Sequence, residues 1–217
     1  MRGDMLRTAA ILACLLVACG DGGERMPVME MSAQTDSGGL ALEAAVVDPC
    51  STESGVLADF PAQFSGVQGG CSWLYGFRDA KSGAFQLFPS FDAAAKRWQL
   101  PGAPFLLIWA GGMHPYATAW PTLRWESTFA GKVRVIGSVK LTDAGQMIGG
   151  NGIVFRIRSA TQDVLEHALS CTPQIPFAFD LVLDVEDGGS IDFMVDPKDG
   201  FNGYDTTALE ARIQRAD

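Results

Sequence analysis

The sequence predicts an all-β domain, an antiparallel β-sandwich, on three observations. Apolar and polar residues alternate at period two in segment after segment. Gly, Asn, Asp and Pro punctuate these segments about every 8–12 residues. Beyond the N-terminal region no convincing 3.6-residue apolar repeat is found. Two facing sheets would bury the alternating apolar sets between them.

The chain opens on a basic start (Arg2, Arg7) and an apolar run from Ala9 to Val17, closing with Leu16-Val17-Ala18-Cys19. This is the layout of a secretory signal. An apolar run of about ten residues is half of what a spanning helix needs, which makes a transmembrane anchor the weaker reading. The end of the run resembles a bacterial lipobox. That resemblance implies a signal peptide over residues 1–18, cleavage before a lipid-modified Cys19, palmitate among the acyl chains, and a protein tethered to a membrane of the bacterial cell envelope. More than one acyl chain makes such an anchor stable. Cys14 is a poorer match, because Leu12 stands where a small residue is preferred. Gly20, rather than Asp, after Cys19 resembles the pattern that permits export to the outer membrane.

Residues 19–43 mix Gly, Ser, Asp, Glu and Met without a clear period and read as a flexible tether. The folded domain is expected over 44–217, with Leu40–Val47 able to start it as a strand or short helix. Trp73, Tyr75 and Phe77 then alternate with smaller residues, and Phe85–Phe88 follows the Ser82-Gly83 turn. Phe105–Trp109 is a continuous apolar run, typical of a strand buried on both sides. Val133, Val135, Val139 and Leu141 alternate with Arg134, Ser138 and Lys140. Asn151-Gly152 is a strong hairpin signal, with Ile153, Phe155 and Ile157 beyond it. Phe177–Val185 alternates with Asp180 and Asp184, Asp187-Gly188-Gly189 turns the chain, and Ile191, Phe193 and Val195 return. Leu209, Ala211 and Ile213 fit a last strand.

The chain has 217 residues and a formal net charge of −9. Nucleic-acid binding needs a basic surface that displaces counterions from phosphates, so that partner is not expected. Three cysteines follow Cys19: Cys50, Cys71 and Cys171. An oxidising compartment allows one disulfide and leaves one thiol. Cys50–Cys71 is the preferred pair for its short loop, and Cys71–Cys171 is the competitor. No cysteine spacing suggests zinc.

Catalytic signatures are missing. The two histidines are His114, in a loop-like Gly111-Gly112-Met113-His114-Pro115-Tyr116, and His167, alternating with Leu165 and Leu169. Neither a G-x-S-x-G elbow nor an H-E-x-x-H helix occurs. The acids between Asp180 and Asp205 fall mostly at turns and outward strand positions, where a solvated face is the default. Asp196, Asp199 and Asp205 could offer oxygens to calcium, a possible ion but not an expected one. No cofactor is expected, and nothing sets an oligomeric state.

The C-terminal half carries a series of short motifs. Arg124-Trp125-Glu126-Ser127 and Ala130 to Gly137 resemble an R-W-x-S-P, G-x-V-x-I-x-G segment of secreted bacterial β-sandwich modules. Gly150-Asn151-Gly152-Ile153 resembles their G-D-G-V, and Gly189 to Pro197 their G-D-x-I-x-F-x-V-D-P. Asn202 to Thr207 resembles their N-x-x-x-D-x-T. These modules resemble carbohydrate-binding jelly rolls of the galactose-binding-like kind. The resemblance spans about Phe64 to Ile213. It departs at Thr128, where Pro is usual, and at Asn151 and Ser190, where Asp is usual. It implies a jelly-roll fold and a non-catalytic, glycan-binding role.

All five tryptophans lie between Trp73 and Trp125. Aromatic faces stack on sugar rings, and the same rings fill cores. Trp73 and Trp125 sit in strand patterns and read as core. Trp98 follows Lys96-Arg97, and Tyr116 and Trp120 flank a Pro-bounded loop. These three are the expected exposed, ligand-binding aromatics. Trp109 could go either way. The expected role is a non-enzymatic module on a lipid-anchored envelope protein. The alternative is a structural or protein-interaction module of a cell-surface complex.

Overall fold

The computed structural model describes residues 50, 53–143, 150–172 and 175–216. The expected signal peptide, Cys19, the tether and the domain start near Ala44 lie outside them. Among the described residues no helix is long and apolar enough to cross a membrane. The described residues include two 3₁₀ turns, Gly70–Ser72 and Lys198–Gly200.

Among the described residues fourteen strands form two antiparallel sheets, in keeping with the alternation. They are β1 Val56–Phe60, β2 Trp73–Asp79, β3 Phe85–Leu87, β4 Ser90–Asp92, β5 Arg97–Leu100, β6 Ala103–Trp109 and β7 Gly112–His114, followed by β8 Ala119–Glu126, β9 Gly131–Leu141, β10 Ile153–Ser159, β11 Gln162–Leu169, β12 Phe177–Val185, β13 Ser190–Asp196 and β14 Thr207–Arg215. One sheet runs β12-β9-β14-β7-β6-β5-β4, with β1 also on β14. The other runs β11-β10-β13-β8-β2-β3.

The core lies between the sheets. Val133, Val135, Val139, Leu209 and Ile213 meet Trp73, Leu123, Phe155, Ile191 and Phe193 there, all buried. At one margin the sheets approach through His167 of β11 and Phe177 of β12, whose rings stack at 3.6 Å. Cys50 and Cys71 are bonded, with Cα atoms 5.0 Å apart, and Cys171 is a free thiol. The preferred pairing is the one formed.

Two turn signals act differently from expectation. Asn151-Gly152 does not close a hairpin, because β9 and β10 belong to different sheets. Asp187-Gly188-Gly189 likewise carries the chain from β12 in one sheet to β13 in the other. Ser127 receives it there: its N–H donates to the Gly189 carbonyl at 2.8 Å, and its carbonyl accepts from Gly188 N–H at 2.9 Å. A local turn signal specifies the reversal, not which sheet the next strand joins.

β13 is buried on both faces. Ile191, Phe193 and Val195 face the core, while Asp192 and Met194 are buried on the opposite face. Asp192 accepts from Arg124 Nε of β8 at 2.7 Å and Arg78 Nε of β2 at 3.1 Å. The Arg124 guanidinium also lies 3.8 Å from the centre of the Phe85 ring. Removing the acid would leave two cations in a poorly hydrated site. Asp192→Ala should therefore cost about 3–5 kcal/mol of stability, measured by urea unfolding. A loss under about 1 kcal/mol would contradict this account of the site.

Candidate functional site

A groove opens on the outer face of the larger sheet. Its floor comes from β6. The apolar run there was expected to be buried on both sides, but it alternates: Leu106 and Ile108 are fully buried, whereas Phe105 is 55 % exposed. Leu107 and Trp109 are half-buried on the same outward side. Among the described residues no layer covers that side, and its apolar residues line a groove of about 780 Å³. Volumes of about 300–1,000 Å³ are usual for small-molecule sites.

The neighbouring strand shapes the floor. Leu107 pairs with His114 and Trp109 with Gly112. A Cβ on Gly112 would fall 2.6 Å from the Trp109 ring, so glycine lets that ring lie across β7. Phe105 and His114 have ring centres 5.7 Å apart.

The wall is the segment linking β13 to β14. Phe201, Asn202, Gly203, Tyr204 and Thr206 line the groove from it. Phe201 is 47 % and Tyr204 38 % exposed. The Phe201 ring folds over Gly203, where a Cβ would be 2.7 Å away. Asp199 and Tyr204 both have positive φ, 59° and 68°, a conformation costly for residues with a side chain. Asn202 Nδ2 donates to the Pro115 carbonyl at 3.4 Å, fastening wall to floor. Asp143 closes one end, and its Oδ2 accepts from Thr206 N–H at 3.3 Å.

The polar chemistry of the groove is sparse. His114 Nδ1 sits 2.7 Å from the Pro115 carbonyl, and a carbonyl can only accept, so that nitrogen carries the proton. Burial lowers the His114 pKa, outweighing the contacts with the Pro115 and Phe105 carbonyls and with Asp143, and the ring is mostly neutral at pH 7. No serine, cysteine, lysine or arginine is among the lining residues described. Exposed aromatic faces, one carboxylate, one amide and a neutral imidazole suit a ligand with apolar ring faces and hydroxyl groups.

The three expected aromatics part company. Tyr116 lines the groove, half-buried, in a tight turn where its backbone pairs with Ala119. Trp98 is a correction: it is 5 % exposed and belongs to the core. It stacks on Tyr75 with centres 5.4 Å apart, and its Nε1 donates to the Ser65 carbonyl at 2.9 Å. Lys96 and Arg97 made the stretch look wet, but period two sends Trp98 inward beside an outward Arg97. Trp120 stands half-buried on β8, in the other sheet, with the Arg156 guanidinium 5.1 Å from its ring centre. Trp73 and Trp125 are core, as expected. Sequence reading missed Phe105, Phe201, Tyr204, Asn202 and Asp143 as groove residues. The usable signal was the apolar residue at every outward position of β6.

The possible calcium ligands do not assemble. Among the described residues no group of three or more His, Cys, Asp or Glu side chains could hold a metal ion. Asp196 is held by Arg156 Nη1 at 2.5 Å. Asp199 is exposed in the 3₁₀ turn. Asp205 is fully buried beside the groove wall, and among the described residues neither carboxylate oxygen has a hydrogen-bond partner. Burial, then the nearby charges of Asp143 and Asp196, push its pKa up to about 7.

No family model and no curated protein matches this sequence. Solved structures do resemble it distantly. A family 51 carbohydrate-binding module from Clostridium perfringens, in complex with methyl-galactose, matches at 9 % identity and a TM-score of 0.34, over 64 % of this chain and 79 % of its own. A family 6 module from Cellvibrio mixtus, in complex with cellotriose, matches at 11 % identity and 0.31, over 75 % and 99 %. The GITRL protein of pika matches at 10 % identity and 0.31, over 67 % and 97 %. Similarity this low gives no basis for transferring a ligand, and the function is argued from the groove.

Asp205 makes stability depend on pH. Its folded pKa lies above the ordinary carboxylate value of 3.8, so the folded state holds a proton that the unfolded chain releases. Stability from this group is complete below about pH 4 and is lost as pH rises through about 7. Asp205→Asn should therefore raise the melting temperature at pH 8 and change it little at pH 4. A rise of equal size at both pH values would contradict the assignment.

Proposed function

We propose that this chain is a lipid-anchored envelope protein whose β-sandwich binds glycan, without catalysis, at the groove on its larger sheet. The observation that carries the reading is the grouping of Phe105, Phe201 and Tyr204, exposed, around Tyr116, Asn202 and Asp143. Large rings exposed on one concave surface have a hydration cost that a sugar's C–H face relieves. The amide and carboxylate beside them can pair with its hydroxyls. The nucleophile that an acyl-transfer triad would need, Ser or Cys, is not among the groove's described lining. Export and anchoring rest on the signal-like start and the lipobox-like Leu16-Val17-Ala18-Cys19. The pattern at Cys19 and Gly20 favours the outer membrane.

The purified full chain, in detergent, should bind one or more glycans on a broad array. Phe105→Ala and Phe201→Ala should each weaken that binding about tenfold with little change in unfolding midpoint. Trp98→Ala should do the reverse, costing about 3–5 kcal/mol of stability. Failure to bind any glycan, with capture of a protein partner that Phe105→Ala abolishes, would favour the interaction-module reading.

The anchor has its own test. Intact mass and membrane fractionation of Cys19→Ala should show loss of lipid and release from the membrane. Lipid retained on that variant would refute the assignment of Cys19.

A further inference from the structure

Resting on the glycan reading of the groove, we infer that its ligand is a neutral glycan and that uronic-acid, sialylated and sulfated glycans are rejected. Sites that take carboxylate or sulfate groups usually present Arg or Lys, because a desolvated anion needs a paired cation or a set of converging donors. The groove's described lining holds neither cation, and its one ionisable side chain at the open surface besides His114 and the tyrosines is the acidic Asp143. His114 supplies no compensating positive charge, since its ring is mostly neutral at pH 7.

Two cations close by register do not fill this gap. Arg97 stands opposite Trp109 on β5, and its Nε donates to Gln99 at 3.3 Å. Lys140 stands on β9 opposite Ala208 of β14, two strands from Gly112. Neither lines the groove. Elsewhere on the same sheet Lys132 and Arg134 are already paired, with Asp184 and Asp180 at 2.8 and 2.5 Å. The whole chain carries −9, so the long-range field also repels anionic polymers at low salt. A neutral hexopyranose avoids both penalties. It can lay a C–H face on Phe105 or Phe201 and donate hydroxyl protons to Asp143.

The test is a glycan array with neutral, uronic-acid, sialylated and sulfated members, probed with the full chain in detergent at low and at moderate salt. Hits confined to neutral members, and lost in Phe105→Ala, support the inference. Acidic hits that bind as tightly as neutral ones and are lost in Phe105→Ala overturn the neutral class while leaving a glycan groove. No hits of either kind overturn the glycan reading and this inference with it. Asp143→Asn, shown by thermal unfolding to be folded, supplies the second arm. On a neutral hit and the same sugar oxidised to a carboxylate at C6, it should raise the acid-to-neutral affinity ratio about five- to tenfold. An unchanged ratio would overturn the electrostatic basis of the inference.

Discussion

A single buried carboxylate holds the middle of the smaller sheet together. Asp192 sits on β13, and its two cationic partners come from β8 and β2. Three strands far apart in sequence are thereby tied on the face away from the core. An ion pair at this depth is not a cheap source of stability, because each ion loses its hydration. It does forbid alternatives. A slip of one residue in β13 would send Asp192 into the apolar core and Ile191 or Phe193 outward. The observed register, Asp192 opposite Arg124, satisfies the charge and the apolar pattern at once.

That fixed sheet supports a larger one whose outer face is only partly covered. The core side of β6 is filled by Leu106 and Ile108, and this holds the strand in place. The other side presents Phe105, Leu107 and Trp109 to a concavity. Its wall is a segment held in shape by positive-φ residues and a hydrogen bond from Asn202 to the Pro115 carbonyl. Rigid strands below and a braced segment above give a preformed surface, which limits the ordering a ligand must impose.

Much of the fold was legible because alternation at period two is a direct record of which side faces the core. Val133, Val135 and Val139, or Leu209, Ala211 and Ile213, needed no further information, and the short Cys50–Cys71 loop was a sound guide to pairing. The motif pair around Arg124 and Asp192 was also visible, although only the structure shows that the two side chains meet. Legibility failed where one residue of register decides the outcome. Trp98 is inward and Arg97 outward, and their polar neighbours hid this. It failed again at β6, where an apolar outward face reads as a second buried face. Sequence cannot tell a face covered by protein from one left open. The turns at Asn151-Gly152 and Asp187-Gly188-Gly189 were recognisable, but the choice between staying in one sheet and crossing to the other is made by long-range pairing. Tyr116, named from its Pro-bounded segment, lines the groove half-buried. Phe201 and Tyr204 went unnamed, since a single aromatic among Gly and Asn carries no pattern.

The central claim is that ligand recognition occurs on the outer face of β6 and β7 and the wall above them. Backbone amide shifts of the full chain in detergent, followed during titration with a neutral oligosaccharide that binds, test this most directly. The account predicts that the largest shifts fall between Phe105 and Tyr116 and between Phe201 and Thr206. Shifts centred instead on Trp120 and Arg156, on the face of the smaller sheet, would contradict it.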